Sequence, residues 1–188
     1  MIFAETGRLC LRSLEKADLP RLTELIGDWD VARWMLRVPH PYTMKDAEEW
    51  LAHTSALDRA GKTEFFVLAD KGDNALMGGV GVHPPTKPDP QPGEAELGYW
   101  LGKTYWGQGF MSEAVGAALP LGFARPETDL IAASTDPDNK ASQNVLRKAG
   151  FRYLGIHPRT EKGLRGGATC TRWELAREAF EKREPAGS

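Results

Sequence analysis

Cysteine is scarce in this sequence, with only Cys10 and Cys170 in 188 residues. Two thiols cannot build a disulfide framework, and their wide separation fits no zinc-ligand spacing, so neither staple is expected and no metal is predicted. Such sparing use suits a reducing cytoplasm, the compartment expected for the chain. There is no excess of positive charge either. Twenty-four Lys and Arg against 26 Asp and Glu give a net charge of −2, without the basic footprint of a nucleic-acid binder. No apolar run approaches the ~20 residues that a membrane span needs. The first twelve residues carry Glu5, Arg8 and Arg12, which interrupt any signal-peptide core.

What is there is an ordinary globular balance, 41% hydrophobic and 27% charged. A chain of this length can bury a core without staples. One domain over 1–188 is expected, with its core at about 5–176 and a tail at 177–188.

Periodicity divides the chain into elements. Leu9 and Leu11 alternate with Arg8, Cys10 and Arg12, which predicts a strand over 8–14. Asp18 reads as the N-cap of a helix with Pro20 in its first turn and Leu22, Leu25, Ile26 and Trp29 on its apolar face. Residues 34–42 hold Pro39 and Pro41 and cannot form a long helix. Thr43 and Asp46 resemble a capping box before a helix that carries Ala47, Trp50, Leu51, Thr54 and Leu57 and stops at Gly61. The period then changes. Residues 64–69 and 75–83 read as a hairpin, 84–92 as a proline-rich loop, and 94–101 as a third strand. Beyond it, strand and helix alternate: a helix over 109–123 that Pro120 should kink or shorten, a strand at 130–135, a helix from Asn139 to Ala149, and strands at 151–157 and 168–175. This order predicts a mixed α/β sheet, mostly antiparallel, with a parallel element near 94–101 and about four flanking helices.

The segment from Tyr99 to Ala114, YWLGKTYWGQGFMSEA, is the most informative. A strand ends at Leu101, a loop carries Gly102, Gly107 and Gly109, and a helix follows at once. The unpaired N–H groups and partial positive charge of a helix N-terminus bind anions, and glycines let backbone close around a pyrophosphate. The glycines could equally serve turn geometry alone. The P-loop pattern is absent, and the dinucleotide fingerprint G-x-G-x-x-G is only nearly met by Gly107, Gly109 and Ser112. A second segment, NKASQNVLRKAGF over 139–151, places Asn139 at a helix start, where its side chain could cap the helix, with Ser142 and Asn144 one to one-and-a-half turns on.

Together with the opening ETGRLCLRSL, these two segments resemble the GCN5-related N-acetyltransferase superfamily, and within it the RimJ/RimL-like branch, which includes enzymes that acetylate ribosomal-protein N-termini. The resemblance runs from about Glu5 to Leu175. It implies a twisted, mostly antiparallel sheet with a splayed parallel pair, and acetyl-CoA as acetyl donor. The superfamily's phosphate-loop pattern, [QR]-x-x-G-x-[GA], falls here on Trp106, Gly109 and Met111, so both ends depart from it. Backbone amides do not depend on side-chain identity, and the cradle implied includes Gly107, Gln108, Gly109, Phe110, Met111 and Ser112. The resemblance also implies that the backbone of Tyr99, Trp100 and Leu101 pairs with the pantetheine arm as an added strand. Asn139, Ser142 and Asn144 would complete the donor site.

Direct transfer needs a neutral amine, hence a proton acceptor, together with a donor for the carbonyl oxygen; a proton for the leaving thiolate helps. Much of the superfamily supplies that proton from a tyrosine seven residues after the position of Asn139. Here that position is Leu146, and Ser142 is the nearest replacement. Glu96 is the candidate base and Glu161 a weaker one. Trp34, His40 and Tyr42, between the first two helices, are the expected acceptor contacts. The acceptor is then a protein or peptide N-terminus, or alternatively a small amine such as an antibiotic or polyamine. A CoA-binding module without catalysis is the reading from another class. The chain is expected to act as a monomer or homodimer, with neither nucleic acid nor membrane as partner.

Overall fold

The computed structural model describes residues 1–85, 89–159 and 163–182. Its first surprise is near the N-terminus. The predicted strand forms as β2 (Leu9–Arg12), but a further strand, β1 (Ile2–Glu5), precedes it and pairs with it. All four residues of β2 are buried, not alternate ones. Leu9 and Leu11 enter a core shared with α4 (Phe110–Phe123), while Cys10 enters one shared with α1 (Leu19–Gly27) and α3 (Met44–Arg59). Helices on both faces explain why this strand is closed to water on both sides.

Arg12 is buried as well, and its guanidinium clasps Asp18 with two hydrogen bonds of 2.7 and 2.8 Å. Asp18 stands at the N-cap position of α1, as expected, but its side chain makes no capping bond. Its carboxylate serves Arg12 and the backbone N–H of Glu15 (2.9 Å) instead, closing a short 3-10 turn, Lys16–Asp18. Trp29 is not on α1 either. It opens a four-residue helix, α2 (Trp29–Ala32), and is 47% exposed. The capping box of Thr43 and Asp46 forms as its spacing predicts and starts α3.

The remaining strands are β3 (Phe65–Asp70), β4 (Leu76–His83), β5 (Glu94–Leu101), β6 (Leu130–Thr135), β7 (Arg152–Pro158) and β8 (Thr169–Ala176). They form one eight-stranded sheet in the order β1-β2-β3-β4-β5-β6-β8-β7. Every neighbouring pair is antiparallel except β5 and β6, which run parallel as expected. That parallel ladder is short: Glu94, Ala95 and Glu96 oppose Leu130, Ile131 and Ala132. Beyond it β5 stays on β4 as far as Leu101, and β6 stays on β8 as far as Thr135. The two strands thus part into a V whose apex lies at Glu96 and Ala132.

Helix α4 runs through Pro120 to Phe123 without being shortened. Pro120 is exposed in the last turn, and the Gly116 carbonyl that its missing N–H leaves unpaired belongs to an exposed residue, open to water. Residues 177–181, expected as tail, form α6 (Arg177–Glu181). Phe180 stacks on Phe123 with centroids 4.8 Å apart, and Arg177 donates to the carbonyls of Phe123 and Arg125. The four expected helices are α1, α3, α4 and α5 (Lys140–Lys148), and the two added ones are a turn or so each.

Candidate active site

Strand alternation sends successive side chains of β5 to opposite faces. Ala95, Leu97, Tyr99 and Leu101 face the core beneath α4. Glu96, Gly98 and Trp100 therefore face the side of α1 and α3, where Trp100 packs. A cleft of about 1350 Å³ follows the V and is lined by residues from both sides.

On the α4 side, the loop from Gly102 ends in two glycines with positive φ, Gly107 at 76° and Gly109 at 82°. The first bond back within α4 is Glu113 N–H to the Gly109 carbonyl, so the N–H groups of Phe110, Met111 and Ser112 have no intrahelical partner. All three residues line the cleft with Gly107 and Gly109. The Trp106 indole N–H donates to the Leu101 carbonyl at 2.7 Å and so ties the loop to the end of β5. The side chain of Gln108 bonds to the Thr104 carbonyl instead, and Gln108 does not line the cleft.

A clamp that the sequence reading missed holds this loop from behind. Arg8, just before β2, donates to the Glu113 carboxylate (2.8 Å) and to the Gln108 carbonyl (3.1 Å), and its guanidinium lies 4.2 Å from the Phe110 ring centre. Thr6 donates to the same carboxylate at 2.5 Å. Burial alone would raise the Glu113 carboxyl, but the bonds from Thr6 and Arg8 outweigh it and hold the group below its ordinary value. A carboxyl depressed by folding stabilises the fold above its unfolded value, and that stability fades as pH falls through the depressed one. The melting temperature of the wild type is therefore expected to fall more steeply on the acid side than that of Glu113→Gln. Parallel curves in a pH series of thermal melts would refute the clamp's titration.

Across the gap stands the N-terminus of α5. The Asn139 side chain accepts from Ser142 N–H at 3.0 Å and caps the helix, while Asn139 also lines the cleft. The Ser142 hydroxyl lies 2.8 Å from the Tyr99 phenol, which also donates to the Ser142 carbonyl at 3.2 Å. Burial pushes the Tyr99 phenol well above its ordinary value, and the Ser142 bond only partly offsets this. Asn144 is exposed on the same helix and lines the cleft. Leu146 is buried in the core. Tyr99 and Ser142 thus bridge β5 and α5 where the strands have parted.

On the α1/α3 side, Glu96 lies at the apex, opposite His83 of β4. Trp34 and Tyr42 line this part of the cleft, and burial pushes the Tyr42 phenol up to about 12. His40 does not line the cleft; it sits against the Trp29 ring, with centroids 5.0 Å apart. Glu161 lies outside the described residues. His83 was not singled out from sequence, although it shares the parity of Gly79 and Gly81 along β4.

Comparison with known proteins agrees with this geometry. The model of the acetyltransferase (GNAT) domain matches residues 8–152. An uncharacterized N-acetyltransferase, p20, of Bacillus licheniformis is 30% identical over 151 residues, which cover 80% of this chain and 83% of that protein. The fold is shared with ribosomal-protein-S5-alanine acetyltransferase of Vibrio fischeri (TM-score 0.79, 20% identity, 96% of this chain and 98% of that one). It is shared too with RimL, a ribosomal L7/L12 α-N-protein acetyltransferase solved with coenzyme A (TM-score 0.75, 20% identity, 95% and 99%). A phosphate-type loop before α4, a splayed parallel pair and a matching domain model over most of the chain together identify it as a member of the GNAT family of N-acetyltransferases.

Proposed function

We propose that the protein transfers the acetyl group of acetyl-CoA directly to an amine. The observation that carries this reading is the V between β5 and β6, with a phosphate-type helix terminus and the Tyr99–Ser142 pair on one face and Glu96 on the other. The pyrophosphate lies on the N–H groups of Phe110 to Ser112, and the pantetheine runs along Tyr99 to Leu101 toward the apex. A thioester there is reached by an amine from the α1/α3 face, while its sulfur meets Ser142 from the α5 face. The ammonium gives one proton to Glu96. Its nitrogen then bonds to the carbonyl carbon, the C–S bond breaks, and the sulfur keeps the electron pair. Ser142 protonates that sulfur, and the second proton lost by the nitrogen restores the hydroxyl by way of water. A backbone N–H of β5 receives the charge on the carbonyl oxygen. Holding both partners at the apex supplies much of the rate. That RimL is solved with coenzyme A on the same fold supports the donor assignment.

Thermal melts with acetyl-CoA, CoA and NAD test the donor. A ligand at a hundred times its Kd stabilises by about 2.7 kcal/mol, so both CoA species should raise the melting temperature by several degrees while NAD leaves it unchanged. Stabilisation by NAD but not by CoA overturns the reading. Consumption of acetyl-CoA that depends on added amine separates an enzyme from a binding module.

A further inference from the structure

The floor of the cleft on the α1/α3 face is paved with flat rings, and the reason is a row of glycines. Gly81 of β4 opposes Gly98 of β5, and Gly79 opposes Trp100. A Cβ on Gly81 would lie 2.6 Å from both the Phe65 ring and the Glu64 carbonyl, and one on Gly79 2.8 Å from the Trp100 indole nitrogen, whereas at Gly98 the nearest atom, His83 Nε2, would be at an ordinary contact distance of 3.5 Å. Side chains on a sheet ordinarily stand away from it. Here Phe65, Trp100 and His83 lean over bare backbone instead. Phe65 and His83 are stacked at 26° with centroids 5.2 Å apart, and Trp50 of α3 meets Phe65 edge-on at 4.8 Å.

The chemistry at the end of this floor is specific. His83 Nδ1 is 2.8 Å from the Pro84 carbonyl. A carbonyl can only accept, so Nδ1 carries a proton, and of the two neutral tautomers this bond selects the one with its lone pair on Nε2. Glu96 lies opposite on β5, and Glu49 and Glu64 line the same end of the cleft. The cations on the cleft lining are Arg33 and Arg37, in the segment after α2, and Lys140 and Lys148 of α5; Arg33 is paired with Asp30 at 3.2 Å. Arg159 and Arg172 line the adjoining pocket with Glu96, and they are paired with Asp136 at 3.5 Å and Glu94 at 3.2 Å.

We infer that the acceptor is a cationic amine carried on a flat aromatic or heteroaromatic body. The rings of Phe65 and Trp100 receive the plane, and the ammonium reaches Glu96 and His83 at the apex of the V. This deepens the acetyl-transfer reading and rests on it. A polyamine would offer the carboxylates its charge but leave the rings unused, and a saturated body cannot lie flush on them.

The test is initial-rate acetylation by the full chain with acetyl-CoA and a panel of tryptamine, 2-phenylethylamine, 2-cyclohexylethylamine, spermidine, kanamycin and short peptides beginning with Ala or Ser. The expected kcat/KM for 2-phenylethylamine is about tenfold above that of its saturated analogue, the scale of one aromatic contact. Tryptamine should exceed spermidine, kanamycin and the peptides. Phe65→Leu should raise KM for the aromatic amines and leave stabilisation by CoA in place. A preference for spermidine, kanamycin or a peptide overturns the inference while leaving the donor reading intact. So does a protein that CoA stabilises but that acetylates nothing in the panel. Failure of CoA to stabilise the protein overturns the donor reading and this inference with it.

Discussion

Replacing Arg12 by Met is expected to destabilise the fold by about 3–5 kcal/mol, because it leaves Asp18 as an uncompensated buried charge. For a chain of this size that is a drop of order 10 °C in melting temperature. Both partners are almost wholly buried, Arg12 at 4% and Asp18 at 8% exposure. Their contact is bidentate, and the Asp18 bond, offset in part by desolvation, raises the arginine above its ordinary value. The guanidinium also donates to the side chain and the carbonyl of Asn74, in the turn before β4, and to the Ser13 carbonyl. One residue therefore ties β2, the start of α1 and the β3–β4 turn together. The double variant Arg12→Met/Asp18→Leu should recover part of the loss, since it buries no lone charge. Recovery should be incomplete, because the Asn74 and Ser13 oxygens lose their donor. Thermal or urea melts of the wild type, Arg12→Met and the double variant decide the matter. A double variant no better than the single one would show that the pair's charge is not what the fold depends on.

The second large effect is on turnover. Ser142→Ala should lower kcat by about a hundredfold, the low end for general acid catalysis, because a thiol of pKa about 8.5 leaves fairly well without help. Binding of CoA should persist, since the backbone cradle at Phe110 to Ser112 and the Asn139 cap do not use the hydroxyl. The residue that the wider superfamily resemblance would call on, Leu146, is buried in the core and has no proton to give. Tyr99 reaches Ser142 from β5 instead. A phenol is protonated at neutral pH, and burial raises this one further; with its one proton given to the Ser142 hydroxyl, the serine proton is left for the cleft. Tyr99→Phe should therefore lower kcat in the same direction, and the double variant should lose no more than the product of the two. Measurements of kcat across pH with saturating acetyl-CoA test this. A Ser142→Ala protein that acetylates normally at every pH removes the serine from the reaction.

How much of this was legible in the sequence depends on how far apart the cooperating residues lie. The strands at 94–101 and 130–135 and the helix starts at Thr43, Gly109 and Asn139 were readable because each signal is local: an apolar run, a capping pair, a glycine before a helix. β1 and α6 escaped notice because both are short and gain stability only from distant partners, β2 for the first and Phe123 for the second. Asp18 takes the N-cap position its sequence suggests, but nothing in its own neighbourhood says that a buried Arg12 will claim its side chain. The clamp on the phosphate-type loop joins Arg8 to Glu113, 105 positions on, and no periodicity can announce such a pair. The ring floor needs the register of three adjacent strands before Gly79, Gly81 and Gly98 acquire a meaning. His40, expected among the acceptor contacts, is held against Trp29 and does not line the cleft.

The parting of β5 from β6 also bears on traffic. A cleft lined from both faces of a sheet can serve two molecules at once. Under the proposed transfer, donor and acceptor approach from opposite faces, so a spent carrier need not depart before the next amine arrives. A blocking compound aimed at the ring-paved side would on that proposal act whatever the cellular supply of the carrier.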